Sequence, residues 1–514
     1  MPSINQHIKI RKNYQKFYFT SLQTLLIFGF INSISQNSCL FKDKNEERPE
    51  DRKPIVVAME DGPTNLYPPL ANSAYSFRVV ELIHKALFKF DRNLNIIPDL
   101  AEKIDIQKRW GNDGEEIILK IKIREGEKTC SGLKINSSLV VKSLKKYIDR
   151  GKFRYIKNIR ETSENEIEIV SQPYASIMYD LTSPIFPEDN FTDCTGDFKL
   201  VEFEPGKKAV LQKRNSKKKV VIKGIENDIT RILELEKGDV DIIVNAVPPN
   251  LIEYVKKLKN VQIIQSSGIN ISYIGLNLRN KYLADRRVRK AIAYAIPKEE
   301  IIKNLLEDYA EPINSMLPKS SKFYFEYHQY PYSPETAKKL LEEAGFFSEQ
   351  KTPVFIWKTS NIKYAIRNVK AIASGLEKIG MKIDIQSREF STFFYEVING
   401  NFDMYSLNFV GVKDPEILRY IAHSKMIPPY GANRVMFSNP IFDAIVERAT
   451  AEMNERERKT LLEQAQKILQ DELPYIPLWQ VKDIIVFRKD KVKHLDESDI
   501  IPGGSLTFLS KIIE

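Results

Sequence analysis

The stretch that decides the fold is YIGLNLRNKYLADRRVRKAIAYAIPKEEII, residues 273–302. It opens on a β-branched and aromatic run, Tyr273 to Asn277, of the kind that fits a pleated, half-buried strand. Val288, Ala291, Ile292 and Ala295 then recur at helical spacing, so Arg286 to Ala295 is expected to be a helix packed along one face. Asp285 stands where a side chain can accept the first orphan N–H groups of that helix. A strand feeding an amphipathic helix is the unit of an α/β protein.

The alternation continues in both directions. Strands are expected at 54–59, 117–123, 166–170, 209–213, 240–244, 272–276, 354–357, 381–386 and 484–487. Helices are expected at 76–87, 137–147, 229–236, 286–295, 334–344, 366–379, 440–450 and 454–469. Ser333-Pro334 and Asn439-Pro440 carry helix-start chemistry, and Gly345 supplies a left-handed stop after the 334–344 helix. No fixed-period repeat interrupts the pattern.

With 514 residues the chain is too long for one hydrophobic core. Apolar residues at 42% and charged ones at 28% place it among ordinary globular proteins, not among disordered or many-span membrane chains. Lys and Arg number 78 against 68 Asp and Glu, a balance of +10. The densest basic runs, Lys207-Lys208 and Arg214 with Lys217 to Lys219, have no aromatic interleaving to stack bases, so no nucleic-acid partner is expected.

The N-terminus accounts for part of the charge. Lys9, Arg11, Lys12 and Lys16 precede an apolar stretch from Phe17 to Ile31, the arrangement of a secretory signal, or of an uncleaved anchor. A charged tether without large apolar residues then runs from Lys42 to Pro54. The three cysteines, Cys39, Cys130 and Cys194, and five scattered histidines show no metal-ligand spacing, and no cofactor is expected. Cys130 and Cys194 fit a disulfide in an exported protein and two buried thiols equally well. Neither a GxSxG elbow, an HExxH helix nor a GxxxxGK[ST] phosphate loop is present, so an enzyme is not expected.

The order of motifs resembles one family along nearly the whole chain after the leader: the large extracytoplasmic solute-binding proteins of ABC importers, whose members bind oligopeptides, dipeptides or nickel complexes. The resemblance runs through ELIHKALFKFDRNLNIIPDLAEKIDI from Glu81, TGDFKLVEFEPGKKAVLQKRN from Thr195, LELEKGDVDIIVNAVPP from Leu233 and the 273–302 segment. It continues through REFSTFFYEVINGNFDMYSLNF from Arg388 to RKTLLEQAQKILQDELPYIPLW from Arg458. The Cys39 region, following the apolar stretch, is similar to the bacterial lipoprotein pattern, which makes Cys39 the acylated residue and the membrane a partner through a lipid anchor.

The resemblance implies a periplasmic-binding-protein-like α/β fold with two lobes around a cleft and an additional subdomain. The leader is residues 1–38 and the tether 39–54; residues 55–90, 186–272 and 474–514 make the first lobe, 91–185 its extra subdomain, and 273–473 the second lobe. A monomer is implied, exported to the periplasm or cell surface, handing a peptide or other small solute to permease subunits. A nickel-chelate or other non-peptide carrier, and a surface receptor or adhesin on the same fold, are the alternatives.

Peptide-binding members place an aspartate three residues before a [DE]-P pair to capture the ligand ammonium. The pair here is Asp414-Pro415 and that position is Gly411, so either Asp414 serves or the solute has no free amino terminus. Asp414-Pro415 also reads as a turn or helix start, and Lys413 stands beside it. The cleft positions implied are Ala74, Tyr75, Tyr273, Asn277, Trp357, Tyr405, Leu407, Asn408, Phe409 and Asp414.

Overall fold

The computed structural model describes residues 53–111, 114–348 and 352–513. The leader, Cys39 and all of the tether except its last two residues lie outside the described residues. Most of the buried β-branched runs assemble into one eleven-stranded sheet. Its order is Lys382–Arg388, Val354–Ser360, Met404–Phe409, Val261–Leu276, Tyr475–Arg488, Ile242–Val244, Ile55–Met59, Lys219–Gly224, Lys208–Lys213 and Phe198–Glu204, with Ala310–Pro312 paired to the side of Tyr475–Arg488.

Parallel pairing occurs at two places in this sheet. Ile55–Met59 is parallel to both Lys219–Gly224 and Ile242–Val244. Val354–Ser360 is parallel to both Lys382–Arg388 and Met404–Phe409. Parallel strands need covered faces. Around the second group, Phe355, Trp357 and Met404 pack with Leu276, Ile292 and Leu376. Around the first, Val57 and Met59 pack with Val79, Val80 and Leu506.

Two long antiparallel strands, Val261–Leu276 and Tyr475–Arg488, carry the sheet from one parallel group to the other. Their register breaks between Ser266, paired with Asp483, and Asn270, paired with Val481. Three residues therefore oppose one, which kinks the ribbon between the groups. The backbones approach so closely there that a Cβ on Gly268 would collide with the carbonyl oxygen of Val481. A second register shift lies between Ser272, paired with Trp479, and Tyr273, paired with Pro477.

A separate four-stranded antiparallel sheet comprises Ala101–Gly111, Gly114–Ile123, Glu166–Ser171 and Ile156–Ser163. The helix Ser137–Asp149 covers it, and Leu119, Ile121, Leu144, Tyr147, Ile167 and Ile169 close a core of their own. Cys130 and Cys194 form a disulfide, with Cα atoms 5.2 Å apart, linking the loop ahead of this helix to the loop before Phe198.

Capping followed the sequence. Asp285 accepts from Arg287 N, Ser333 from Thr336 N, and Asn439 from Ile441 N and Phe442 N. One helix differs: the segment expected at 76–87 spans Ala74–Ile83. It stops because His84 turns extended and Ala86 bridges to Pro184, so the apolar residues after Ile83 belong to a strand-like edge.

Candidate functional site

Parallel α/β sheets bind ligands outside the carboxyl ends of their strands, where chain reversals leave a crevice and helices begin. In the second parallel group those ends are Ser360, Arg388 and Phe409. The residues just beyond them carry an unusual run of exposed apolar side chains: Ile362 (44% exposed), Tyr364 (48%), Phe390 (50%) and Val410 (65%). Apolar surface concentrated at strand ends marks a binding face.

In the first group, Ile55–Met59 ends at the exposed Glu60. Ser73 caps the following helix, and this cap fixes Tyr75 in the first turn. The Tyr75 hydroxyl donates to Glu60 Oε2 at 3.3 Å. Burial, then the Glu60 carboxylate, push the Tyr75 hydroxyl up to about 12. Burial and the same carboxylate also raise Tyr364, from the opposite group. Glu60 therefore lies within electrostatic reach of tyrosines that follow strand ends of both groups.

The crossing strands carry a buried cluster of stacked rings beneath these strand ends. Tyr273 stacks on Phe409 with centroids 4.6 Å apart and an 8° interplanar angle, and meets Tyr405 and Tyr475 edge-on. Arg434 Nη1 is 3.5 Å from the Tyr273 hydroxyl, and its guanidinium lies 5.1 Å from the centre of the Phe394 ring. Ser272 Oγ donates to Asn408 Oδ1 at 2.7 Å, fixing a side chain that is otherwise exposed.

The expected site residues separate into three groups. Tyr273, Leu407, Asn408 and Phe409 lie together on the paired strands, Tyr273 itself fully buried, and Ala74 and Tyr75 form the first turn of the helix that follows the Ile55–Met59 strand. Trp357 and Tyr405 offer no surface to a solute in this structure. Trp357 points into the core and donates from Nε1 to Ser406 Oγ at 3.0 Å, while Tyr405 is enclosed with Phe402, Phe393 and Tyr475. Asn277 is buried and its amide donates to Phe402 O at 2.8 Å. Sequence reasoning did not reach Glu60, Tyr364, Phe390 and Arg434. A strand end followed by a helix start was the signal available for the first three.

Asp414 lies elsewhere, on the wall of a cavity of about 660 Å³. That cavity is bounded by the helix face Phe77, Glu81 and Lys85, the Phe88–Asp91 edge, and Gly411, Lys413 and Asp414. The Asp414 carboxylate is already committed. Its Oδ1 accepts from Ser176 Oγ at 2.6 Å and Glu416 N at 3.0 Å, and Arg458 Nη2 is 4.0 Å away. The cation beside Asp414 is thus Arg458; Lys413 instead lies over the Phe90 ring at 4.7 Å. The Asp414-to-Glu416 hydrogen bond leads into the helix Ile417–Ala422, the helix-start reading of the Asp-Pro pair.

Arg458 also donates to Ser176 Oγ at 2.7 Å, and Ala175 N donates to Thr450 O at 2.7 Å. Burial, then Asp414 and Glu416, push Asp180 up to about 7. Glu416, which accepts from Thr450 Oγ1 at 2.9 Å, also reaches about 7, chiefly through burial. The contacts of Ser176 and Ala175 tie the segment after Glu166–Ser171 to the elements that bear Asp414, Arg458 and Thr450.

His84, on the cavity wall, is buried with Nε2 2.9 Å from Phe191 O, and burial lowers it to about 4. His423 Nε2 is 3.0 Å from Glu447 Oε1. Among the described residues no three His, Cys, Asp or Glu side chains group as metal ligands. Nor does any helix among them have the length and apolarity to cross a membrane.

The family model for bacterial extracellular solute-binding proteins, family 5 middle region, matches residues 95–424. The glutathione-binding protein GsiB of Shigella dysenteriae is 26% identical over 495 residues, covering 88% of this chain and 92% of that protein. GsiB of Escherichia coli K12 is 26% identical over 467 residues, 83% of this chain and 88% of that protein. Among solved structures, NikZ from Campylobacter jejuni in complex with Ni(L-His) is similar at TM-score 0.73 and 22% identity, covering 91% of this chain and 99% of that one. The substrate-binding protein CtaP from Listeria monocytogenes reaches TM-score 0.80 at 18% identity, covering 90% of this chain and all of that one. These structural likenesses establish the periplasmic-binding-protein-like α/β fold.

Proposed function

Because the chain belongs to the bacterial extracellular solute-binding proteins of family 5, we propose that it is the solute-capturing component of an ABC importer and delivers a peptide or peptide-like solute to a membrane permease. The observation that carries this is the pair of parallel strand groups, each ending in exposed side chains, joined by two long antiparallel strands whose register breaks between Ser266 and Asn270 and again between Ser272 and Tyr273. A solute touching Glu60 and Tyr75 on one side and Tyr364, Phe390 and Asn408 on the other stabilises the arrangement in which they are close. Residues 55–90, 186–272 and 474–514 make one lobe and 273–473 the other, with 91–185 as the extra subdomain and the hinge at 267–269 and 482.

A peptide-like solute is favoured by aromatic walls with polar and charged groups of both signs nearby, and by relatives that bind glutathione. The role is capture, without chemistry on the solute. The signal-like leader and Cys39 support export and lipid anchoring of a monomer at the outer face of a bacterial membrane. Calorimetry of the mature protein with glutathione, short peptide mixtures and nickel–histidine tests the reading. Micromolar or tighter binding of a peptide-like solute is expected. Heat with nickel–histidine alone identifies a chelate carrier instead, and no heat with any of the three refutes capture and favours a surface receptor.

A further inference from the structure

The basic run Arg214 with Lys217 to Lys219 plays no part at the strand ends described above, yet the fold sets its first member among other cations around one hollow. A cavity of about 340 Å³ is lined by Lys128, Lys199, Lys213 and Arg214, with Ser131 and Gln212, and no Asp or Glu stands among its lining residues. The 660 Å³ cavity, by contrast, mixes Lys85, Lys89 and Lys413 with Glu81, Asp91 and Asp414. Arg214 Nη2 donates to Thr129 O at 3.0 Å and Lys213 Nζ to Ser510 O, both neutral acceptors. Among the described residues neither these two nor Lys128 and Lys199 make an ion pair with a carboxylate. Asp193, whose carboxylate meets the same loop, accepts from Ser131 N at 2.9 Å and Ser131 Oγ at 2.6 Å, which leaves four cations against one carboxylate at the rim. The Cys130–Cys194 disulfide and the bond from Cys130 N to Cys194 O hold this loop against the segment leading into the Lys199 strand.

The cavity lies where the chain enters the large sheet. Ile55, the first strand residue after the tether, pairs with Val220; Lys219, next to Val220, pairs with Gln212, and Gln212 with Lys199. Residues directly opposite share a face, so Lys219 and Lys199 stand on the same face as Gln212, which lines the cavity. The Ile55 strand is three strand spacings, roughly 15 Å, from the Lys199 strand. Residues 39–54 span at most about 55 Å, so a lipid on Cys39 keeps the cavity within reach of the headgroups. A guanidinium and three ammonium groups around a recess have the chemistry of a phosphate receptor, the Arg as a planar fork and the Lys as point charges. We propose that this cavity receives the phosphate headgroups of anionic phospholipids and docks the protein on the membrane beside the point where its tether joins the fold. The proposal rests on the export reading. Once the lipid is inserted docking is intramolecular, so a contact of modest strength is enough to be occupied.

The test is sedimentation of the mature protein, carrying no lipid on Cys39, with vesicles of phosphatidylcholine alone or with about one-third phosphatidylglycerol. Wild type is expected on the phosphatidylglycerol vesicles only, with partition falling as salt rises. Lys128→Gln/Lys199→Gln removes two charges worth about fivefold each near an anionic surface and should weaken partition about 10- to 30-fold. Both residues are exposed, so the thermal midpoint should hold. Lys338→Gln/Lys370→Gln makes the same change in net charge at exposed positions of the helices Pro334–Glu343 and Lys363–Lys378 and should partition like wild type. Equal losses in the two pairs assign the effect to net charge and overturn the cavity as the receptor. Heat with inorganic phosphate but no vesicle partition assigns the cavity to free phosphate and overturns docking. Calorimetry with glutathione and short peptides on the same preparations separates the two readings. Solute binding without partition overturns docking alone, and partition without solute binding overturns capture alone.

Discussion

Replacing Asp180 with Asn removes one of two carboxyls held near neutral at the junction between the extra subdomain and the elements bearing Asp414 and Arg458. In the folded protein Asp180 and Glu416 are raised to about 7, chiefly by burial. Unfolded, they return to roughly 4. The native state therefore binds more protons than the unfolded chain between these limits. Stability from the pair is complete below about pH 4 and is lost as pH rises through 7.

Two other groups titrate with the opposite sign, and they set the window for the measurement. His84 is lowered to about 4, so its effect on stability ends above its unfolded value near 6.5. Lys298, buried against Ile313 O and Asn314, is lowered to about 8 and enters only above that pH. Between pH 6.5 and 8 the carboxyls dominate, and each should withdraw roughly 1 kcal/mol of stability. Urea unfolding of wild type at four pH values in this window should give midpoints that fall with pH. Asp180→Asn should be more stable than wild type at pH 8 and show a shallower slope. Parallel slopes for the two proteins would mean that Asp180 is not held protonated, and the account of this junction would be wrong.

The remaining predictions concern the same framework. Gly268→Ala should cost about 1–3 kcal/mol through collision with the Val481 carbonyl, and an unchanged urea midpoint would show that the crossing strands relax freely. Arg458→Leu strips Asp414 of its nearby cation; a loss of about 3 kcal/mol at pH 8 that shrinks at pH 5, where Asp414 can protonate, is expected from parallel unfolding curves. A loss independent of pH would assign the effect to packing alone. Reduction, or the Cys130→Ser/Cys194→Ser pair, should lower stability by about 2–4 kcal/mol, and identical unfolding with and without reductant would contradict a formed disulfide. Leu144→Ala, in the core of the four-stranded sheet, should cost about 2–5 kcal/mol, visible as a separate early transition by fluorescence if that sheet unfolds on its own.

Elements whose information is local were legible. The 286–295 helix declares itself through Val288, Ala291 and Ile292 and a capping Asp285, all within a few residues, and it formed as Arg286–Tyr294. The helix expected at 76–87 was overextended because Leu87 and Phe88 are as apolar as Val80 and Ile83; what ends the helix is a bridge to Pro184, about a hundred residues away. The same limit applies to the disulfide. Nothing in the spacing of Cys130 and Cys194 distinguishes a bond from two thiols; only the fold brings their Cα atoms to 5.2 Å.

The crevice was less legible for a related reason. Trp357 and Tyr405 carry the chemistry of a binding wall, but strand alternation and a single register decide which face of the sheet each one joins, and both joined the core. Conversely, Glu60 is one acidic residue among 68 Asp and Glu, and nothing beside it in sequence marks it. Its hydrogen-bond partner, the Tyr75 hydroxyl at 3.3 Å, comes from the next helix and not from its own strand. Because the two faces are built from different segments, the Coulomb and stacking terms that select a solute depend on how the crossing strands set one parallel group against the other. Ligand selection and closure then share one coordinate: a substitution at Gly268, which touches no solute, should change solute affinity as well as stability.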